Sequence, residues 1–426
     1  MKYSDSSSRR LGVATVGIGG AVATTAAAGV QLLRAGHPEA RQGLPLDALP
    51  DRLTRGLVSY DDLVFRGWDF YGDDLAAATR AHDVLTTGQY EAAREALSAV
   101  TPWPAVADER FCRGVTGDHY VATDSLAEAV ERVRADLRRF RKEEALDGLV
   151  VLNLASTERA ADLDAPELQH ADAFADALVE GSEAISPAMC YVWAAIEEGV
   201  PYVNFTPSPA AEVPAIIEHA EEQGVPVAGK DGKTGQTFLK TVLAPGLRDR
   251  ALEVDGWFST NILGNRDGEA LRDDDSLESK LGTKGSVLDQ ILGYRVEDHV
   301  VDISYYRPRG DNKEAWDNVD LVGFLGQKMQ IKVNFLCRDS ILAAPLAIEL
   351  VRLADFAGRE GERGAQEQLS VFFKSPMTRS REAAPTHALP EQQRALVTWL
   401  EEHAAADDGP PVVENGKAEV AANGAA

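Results

Sequence analysis

The chain has 426 residues, 44% hydrophobic and 26% charged, and a net charge of -25 from 68 acidic and 43 basic side chains. That length supports two or three domains with a large core, and the composition excludes a fibrous or mainly disordered protein. So acidic a balance argues against nucleic acid and anionic membrane surfaces, which need a basic footprint; it reads as a heavily hydrated surface of the kind suited to high salt.

In chain order, residues 11–16 form a short apolar run that predicts a buried strand, 17–20 a glycine turn, and 21–34 a helix of small residues. Arg9 and Arg10 before the apolar stretch 11–33 resemble a twin-arginine signal or the flank of a membrane span. The glycines and small Ala and Thr residues inside that stretch favour strand–turn–helix instead, with no membrane segment. A second strand is predicted at 62–65, ending on Gly67, Trp68 and Asp69. Helical patterns follow at 75–85 and 126–142, and a third strand at 148–153. Further strands at 202–205 and 225–228 flank a helical stretch at 209–223. Strands alternating with helices imply a parallel α/β sheet.

Near Phe238 the texture changes. Residues 301–306 and 328–334 alternate and carry β-branched and aromatic side chains, as in a more open sheet with one wetter face. A long helix is predicted from Asp339 through 354. From about residue 401 the chain is rich in Ala, Gly, Pro and Glu, and a disordered tail is expected. No internal repeat is visible. Cys112, Cys190 and Cys337 are far apart, and the histidines show no metal-ligand spacing. No disulfide framework or zinc site is indicated, which fits a reducing cytoplasm.

The chemistry-bearing features begin with Gly17, Gly19 and Gly20, set between a strand and a helix. Glycines there let the backbone approach a pyrophosphate, which then rests on the helix N-terminus. The acidic partner expected about 20 residues on is unconvincing, because Glu39 lies in a polar loop; Asp69, ending the second strand, is a better ribose partner, or else a turn residue or helix cap. Thr157 and Asn204 also follow strand ends, where ligands of open α/β sheets bind; helix capping is the bland reading for both.

Lysine usage is uneven. Of 12 lysines, nine fall between Lys230 and Lys374, where even spreading would put about four. A basic face is the ordinary reading of such a cluster. In so acidic a chain a lysine-lined pocket for an anionic, oxygen-rich substrate is favoured.

Six strings stand out, four of them carrying lysines of this cluster: GKDGKTGQT (229–237), STNILGNRDG (259–268), SKLGTKGS (279–286), GDNKEAWDN (310–318), NFLCRDSILAAPLAIEL (334–350) and FKSPM (373–377). The first lacks the GxxxxGK[ST] spacing of a nucleotide-triphosphate loop. Together, in this order, they resemble the inositol-3-phosphate synthases, as do VGIGGAVATT (16–25), RGWD (66–69) and LASTE (154–158). The resemblance covers roughly residues 10 to 380.

The resemblance implies an α/β fold: a Rossmann-like NAD-binding domain at 8–237 and 342–400, an inserted α+β catalytic and oligomerisation domain at 238–341, and the tail at 401–426. It implies NAD contacts at Gly17, Gly19, Gly20, Asp69, Thr157, Asn204, Thr234 and Asp311. The catalytic positions it implies are Asp231, Asn261, Asp267, Lys280, Lys284, Lys313, Asp339 and Lys374. The resemblance leaves open a divalent or monovalent cation beside NAD, and a cytoplasmic homotetramer is expected. Two departures stand out: Ala21 and Val22 replace asparagines usual after the paired glycines, and Thr234 replaces a frequent serine. The implied reaction is cyclisation of glucose 6-phosphate to inositol 3-phosphate by oxidation at C5, enolisation, aldol closure and re-reduction. The alternative on the same scaffold is a sugar-phosphate dehydrogenase that releases NADH.

Overall fold

Leu11–Val16 (β1) is buried along its whole length and forms the centre of the larger sheet. The computed structural model describes residues 9–112, 117–121, 125–264, 287–310, 312–380 and 383–404. Leu63–Asp69 (β2), Trp103–Val106 (β3) and Tyr120–Val121 (β4) extend the sheet on one side of β1. Gly148–Asn153 (β5), Tyr202–Asn204 (β6), Pro226–Ala228 (β7) and, beyond the strands β8 to β11 described below, Gly364–Ala365 (β12) extend it on the other. Every pairing is parallel. The chain therefore leaves β1 in one direction and returns at β5 in the other, which opens a crevice at the carboxyl ends of these strands.

Parallel strands are covered on both faces, and the apolar residues of β1 divide accordingly. Leu11 and Val13 pack with helix Ala21–Arg34 and helix Asp339–Arg359. Ala14 and Val16 face helices Leu126–Glu143 and Pro187–Glu197. The long helix Asp339–Arg359 is pinned from inside: Glu349, fully buried, accepts from Tyr60 Oη at 2.7 Å, and Arg352 donates to Val58 O at 2.7 Å.

The smaller sheet is built from Glu253–Leu263 (β8), Asp298–Tyr305 (β9), Asn312–Val322 (β10) and Lys328–Arg338 (β11), in the order β11-β10-β8-β9. β10 is antiparallel to both neighbours, while β8 and β9 are parallel. One face is closed by helix Gly235–Asp249 and a helical segment at 287–292, over a core of Trp257, Val254, Leu288 and Val319. The opposite face leaves Phe258, Val300, Trp316 and Leu336 about half exposed.

Several predicted elements match the structure closely, among them the strands at 11–16 and 148–153 and the helix at 21–34. The helix expected from 209 starts at Pro214, where proline suits the first helical turn. The last helix, Leu389–His403, runs past residue 401, where a tail was expected. Residues 405–426 lie outside the described residues. No helix among the described residues is long and apolar enough to cross a membrane.

Candidate active site

Where β1 ends, Gly17 adopts φ 80°, the left-handed region that favours glycine. Its N–H and that of Ile18 both donate to Trp68 O, at 2.8 and 3.1 Å, which folds the turn against the end of β2. Gly19 N donates to Asp69 Oδ2 at 2.8 Å, and His82 Nε2 lies 2.8 Å from Gly19 O. Burial raises the Asp69 carboxyl above its usual range, against the lowering effect of the Gly19 and Tyr71 N–H groups. Gly20 caps helix Ala21–Arg34 with no side-chain hydrogen bond, and the first turn holds no acid. No acidic side chain within that turn competes for its N–H groups, which suits a dinucleotide pyrophosphate.

The loops after β5 and β6 form the next wall. Ser156, Thr157, Phe205 and Thr206 line the crevice. Asn204 does not: it is fully buried, donating to Ser208 O at 2.8 Å and accepting from Thr206 N at 3.3 Å, so it shapes the loop from within. Glu158, next to Thr157, points into the interior and accepts from Ala188 N at 3.0 Å. Burial pushes its carboxyl up to about 7, against that hydrogen bond.

The segment after β7 is held by a backbone ladder to the segment 372–377. Lys230 N donates to Ser375 O (2.9 Å), Lys374 N to Asp231 O (2.7 Å) and Lys233 N to Phe372 O (2.8 Å). A Cβ on Gly232 would lie 2.0 Å from the Phe205 ring, so the ladder can sit this close to β6 only with glycine there. The result is an ion pair between residues 143 positions apart: Lys374 Nζ donates to Asp231 Oδ1 at 2.6 Å.

A second pair comes from the smaller sheet. The register of β8 with β10 sets Lys313 opposite Leu263 and Ala315 opposite Asn261, and that with β9 sets Asn261 beside Ile303. Directly paired residues share a face, so Lys313, Asn261 and Ile303 all point at the crevice. Lys313 Nζ donates to Asp339 Oδ2 at 3.4 Å. Asp339 opens helix Asp339–Arg359, where the positive end of the helix favours a carboxylate. Burial is the largest single influence and opposes both charges, but the charge and hydrogen bond of Asp339, together with the Cys337 and Asp231 charges, raise the Lys313 amine. The Lys313 and Lys374 charges likewise hold the Asp339 carboxyl below the usual carboxylate range. Asn261 Nδ2 donates to Gln236 Oε1 at 2.5 Å. Its buried Oδ1 has no partner among the described residues and is available to a ligand hydroxyl.

Asp231, Thr234, Asn261, Lys313, Asp339 and Lys374 thus line one cleft of about 1030 Å³ together with Thr157, beside the glycine turn. Gln236 and Thr237 line it too. Both belong to the GKDGKTGQT string, whose small polar residues were the only sign of them. Asp267, Lys280, Lys284 and Asp311 lie outside the described residues. The lysine cluster is a mixture: Lys230 pairs with Glu212, Lys328 with Asp255 on the surface, and Lys240 lies 2.7 Å from His299 Nε2 inside the smaller unit. Among the described residues no group of three or more His, Cys, Asp or Glu is arranged to hold a metal ion.

The sequence profile of the family described as myo-inositol-1-phosphate synthase matches residues 53–401. The inositol-3-phosphate synthase 1 of Bacteroides thetaiotaomicron is 42% identical over 407 residues, covering 92% of this chain and 95% of that protein. The inositol-3-phosphate synthase of Saccharomyces cerevisiae is 32% identical over 382 residues, covering 81% of this chain and 71% of that one. Among solved structures, inositol-3-phosphate synthase from Caenorhabditis elegans superposes with a TM-score of 0.85 at 27% identity, covering 92% of this chain and 85% of that one.

Proposed function

The chain belongs to the myo-inositol-1-phosphate synthase family, and from that premise we propose that the cleft between its two sheets carries every step from glucose 6-phosphate to inositol 3-phosphate. The observation that carries this reading is the pair of lysine–carboxylate contacts, Lys374–Asp231 and Lys313–Asp339, converging beside the glycine turn. A one-step dehydrogenase needs fewer such groups.

The Gly17–Gly20 turn would hold NAD, which would supply reversible hydride acceptance at C5. The chain's own residues manage charge on the sugar. The C5 oxygen becomes negative during enolisation at C6 and again on re-reduction. Lys374, oriented by Asp231, is placed to donate to it, with Lys280 as second donor. When C6 attacks the C1 aldehyde, charge moves to the C1 oxygen. Lys313, oriented by Asp339, serves that oxygen or the phosphate, with Lys284. Asn261, held by Gln236, accepts from or donates to the sugar hydroxyls, and Asp267 completes the set. Donors fixed before charge develops stabilise it without reorganisation. Thr157 and Thr234, hydroxyls at the cleft wall, together with Asp69, Asn204 and Asp311, make up the remaining cofactor-binding segments. The test is product identity: NMR after incubation with glucose 6-phosphate and NAD should show inositol phosphate, whereas a keto-sugar phosphate as end product would favour the dehydrogenase.

Residues 238–341 form the inserted unit, with the tail beyond the last helix. Its open sheet face favours a homotetramer. Phe258, Val300, Trp316 and Leu336 stand on one side of four adjacent strands, an apolar row that water covers poorly. Light scattering at micromolar concentration is expected to give four times the 45.9 kDa chain mass, and a monomer there would remove this assignment. None of the three cysteines forms a disulfide, in keeping with a reducing compartment such as the cytoplasm.

A further inference from the structure

Lys233 lies between Asp231 and Thr234 in sequence, yet its side chain does not reach the cleft. It is buried, 4% exposed, and Nζ donates to Gln392 Oε1 on helix Leu389–His403. Gln392 is itself wholly buried, and its Nε2 donates to Thr386 O at 2.6 Å. That bond leaves Oε1 as the acceptor facing the amine. No carboxylate pairs with Lys233 among the ion pairs of the described residues. His387, also buried, is close enough to feel the Lys233 charge. Burial first, then the Lys233 charge, pushes that imidazole down to about 4, and burial brings the Lys233 amine down to about 7.

A buried amine with no counterion is costly and is retained only where something depends on it. What depends on it here is the ladder between 229–233 and 372–377. Lys233 is its last rung, through Lys233 N to Phe372 O, and at the next rung the same ladder sets Asp231 against Lys374. The bond to Gln392 ties this rung to the C-terminal helix, neither residue lining the cleft.

We propose that Lys233 is a positioning residue for the reaction, fixing the Asp231–Lys374 pair in register by anchoring their shared backbone ladder to Gln392. This rests on the assignment of Lys374 to the cleft chemistry. Lys374→Ala is therefore the reference: if it stays active, that assignment falls and this proposal with it.

The experiment compares kcat, KM, NAD affinity and Tm for Lys233→Met, Gln392→Leu and the double variant Lys233→Met/Gln392→Met. Each single change leaves one buried polar partner unmatched, whereas removing both is close to neutral for the fold. The single variants are expected to lose about tenfold or more in kcat, because small displacements of a reacting group are felt strongly in rate. NAD affinity should stay within about twofold. The double variant should regain most of the lost kcat together with Tm, the mark of a role in placement. Gln392→Leu tests the same bond from outside the cleft should Lys233→Met fail to fold. Two results would overturn the proposal with Lys374→Ala inactive: single variants with nearly unchanged kcat, or a double variant that recovers Tm without kcat, which would give the amine a chemical role.

Discussion

Replacing Lys374 by alanine is expected to lower turnover by roughly 10² to 10³, equivalent to about 3 to 4 kcal/mol of transition-state stabilisation, the range found when one preorganised donor to developing charge is removed. Lys374 stands in the cleft with its amine on Asp231 at 2.6 Å, and its backbone is one rung of the ladder to 229–233. The side chain can be removed without breaking that rung, so the fold should survive. NAD affinity should also survive, because the glycine turn is held by Trp68 O and Asp69 rather than by the ladder. The loss belongs in kcat, and equally in kcat/KM if Lys374 meets its oxygen only as charge appears. A variant that kept more than about a third of the wild-type rate would remove Lys374 from the chemistry.

Asp231 adopts φ 59°, in the left-handed region that aspartate tolerates better than most residues, and its N–H donates to Thr206 O at 3.0 Å. The carboxylate is thus aimed by backbone bonds from both β6 and the 372–377 segment.

How far the sequence reveals this depends on which signal each element carries. Residues 11–16 and 148–153 were legible because strands buried on both faces read as continuous apolar runs. β8 and β10 were not. Ser259, Asn261, Asp317 and Lys313 occupy their inward positions, so the faces that bury these strands look polar. Those side chains are there for the site and its support: Trp257 Nε1 and Ser259 Oγ both donate to Asp317 Oδ1 at 2.7 Å. β12, with two residues, has no periodicity to read. The site strings were legible as strings, but not the direction of each lysine. Lys230 turns to Glu212 and Lys233 to Gln392, partners that only tertiary contacts supply. Local spacing likewise says nothing of Asp231 meeting Lys374 or Lys313 meeting Asp339.

The central claim is that the hydride removed from C5 goes back to C5 within one turnover. The keto sugar must then stay in place through enolisation and ring closure, and the cofactor acts as a catalyst rather than a consumed oxidant. Both requirements follow from a single cleft lined by the Lys374–Asp231 pair, the Lys313–Asp339 pair and Val22, which follows the dinucleotide turn. The direct measurement is an incubation with glucose 6-phosphate and substoichiometric NAD, following product and the NADH absorbance together. Inositol phosphate should exceed the NAD supplied many-fold while the NADH band stays flat. NADH rising in step with product, and stopping when NAD runs out, would contradict the account.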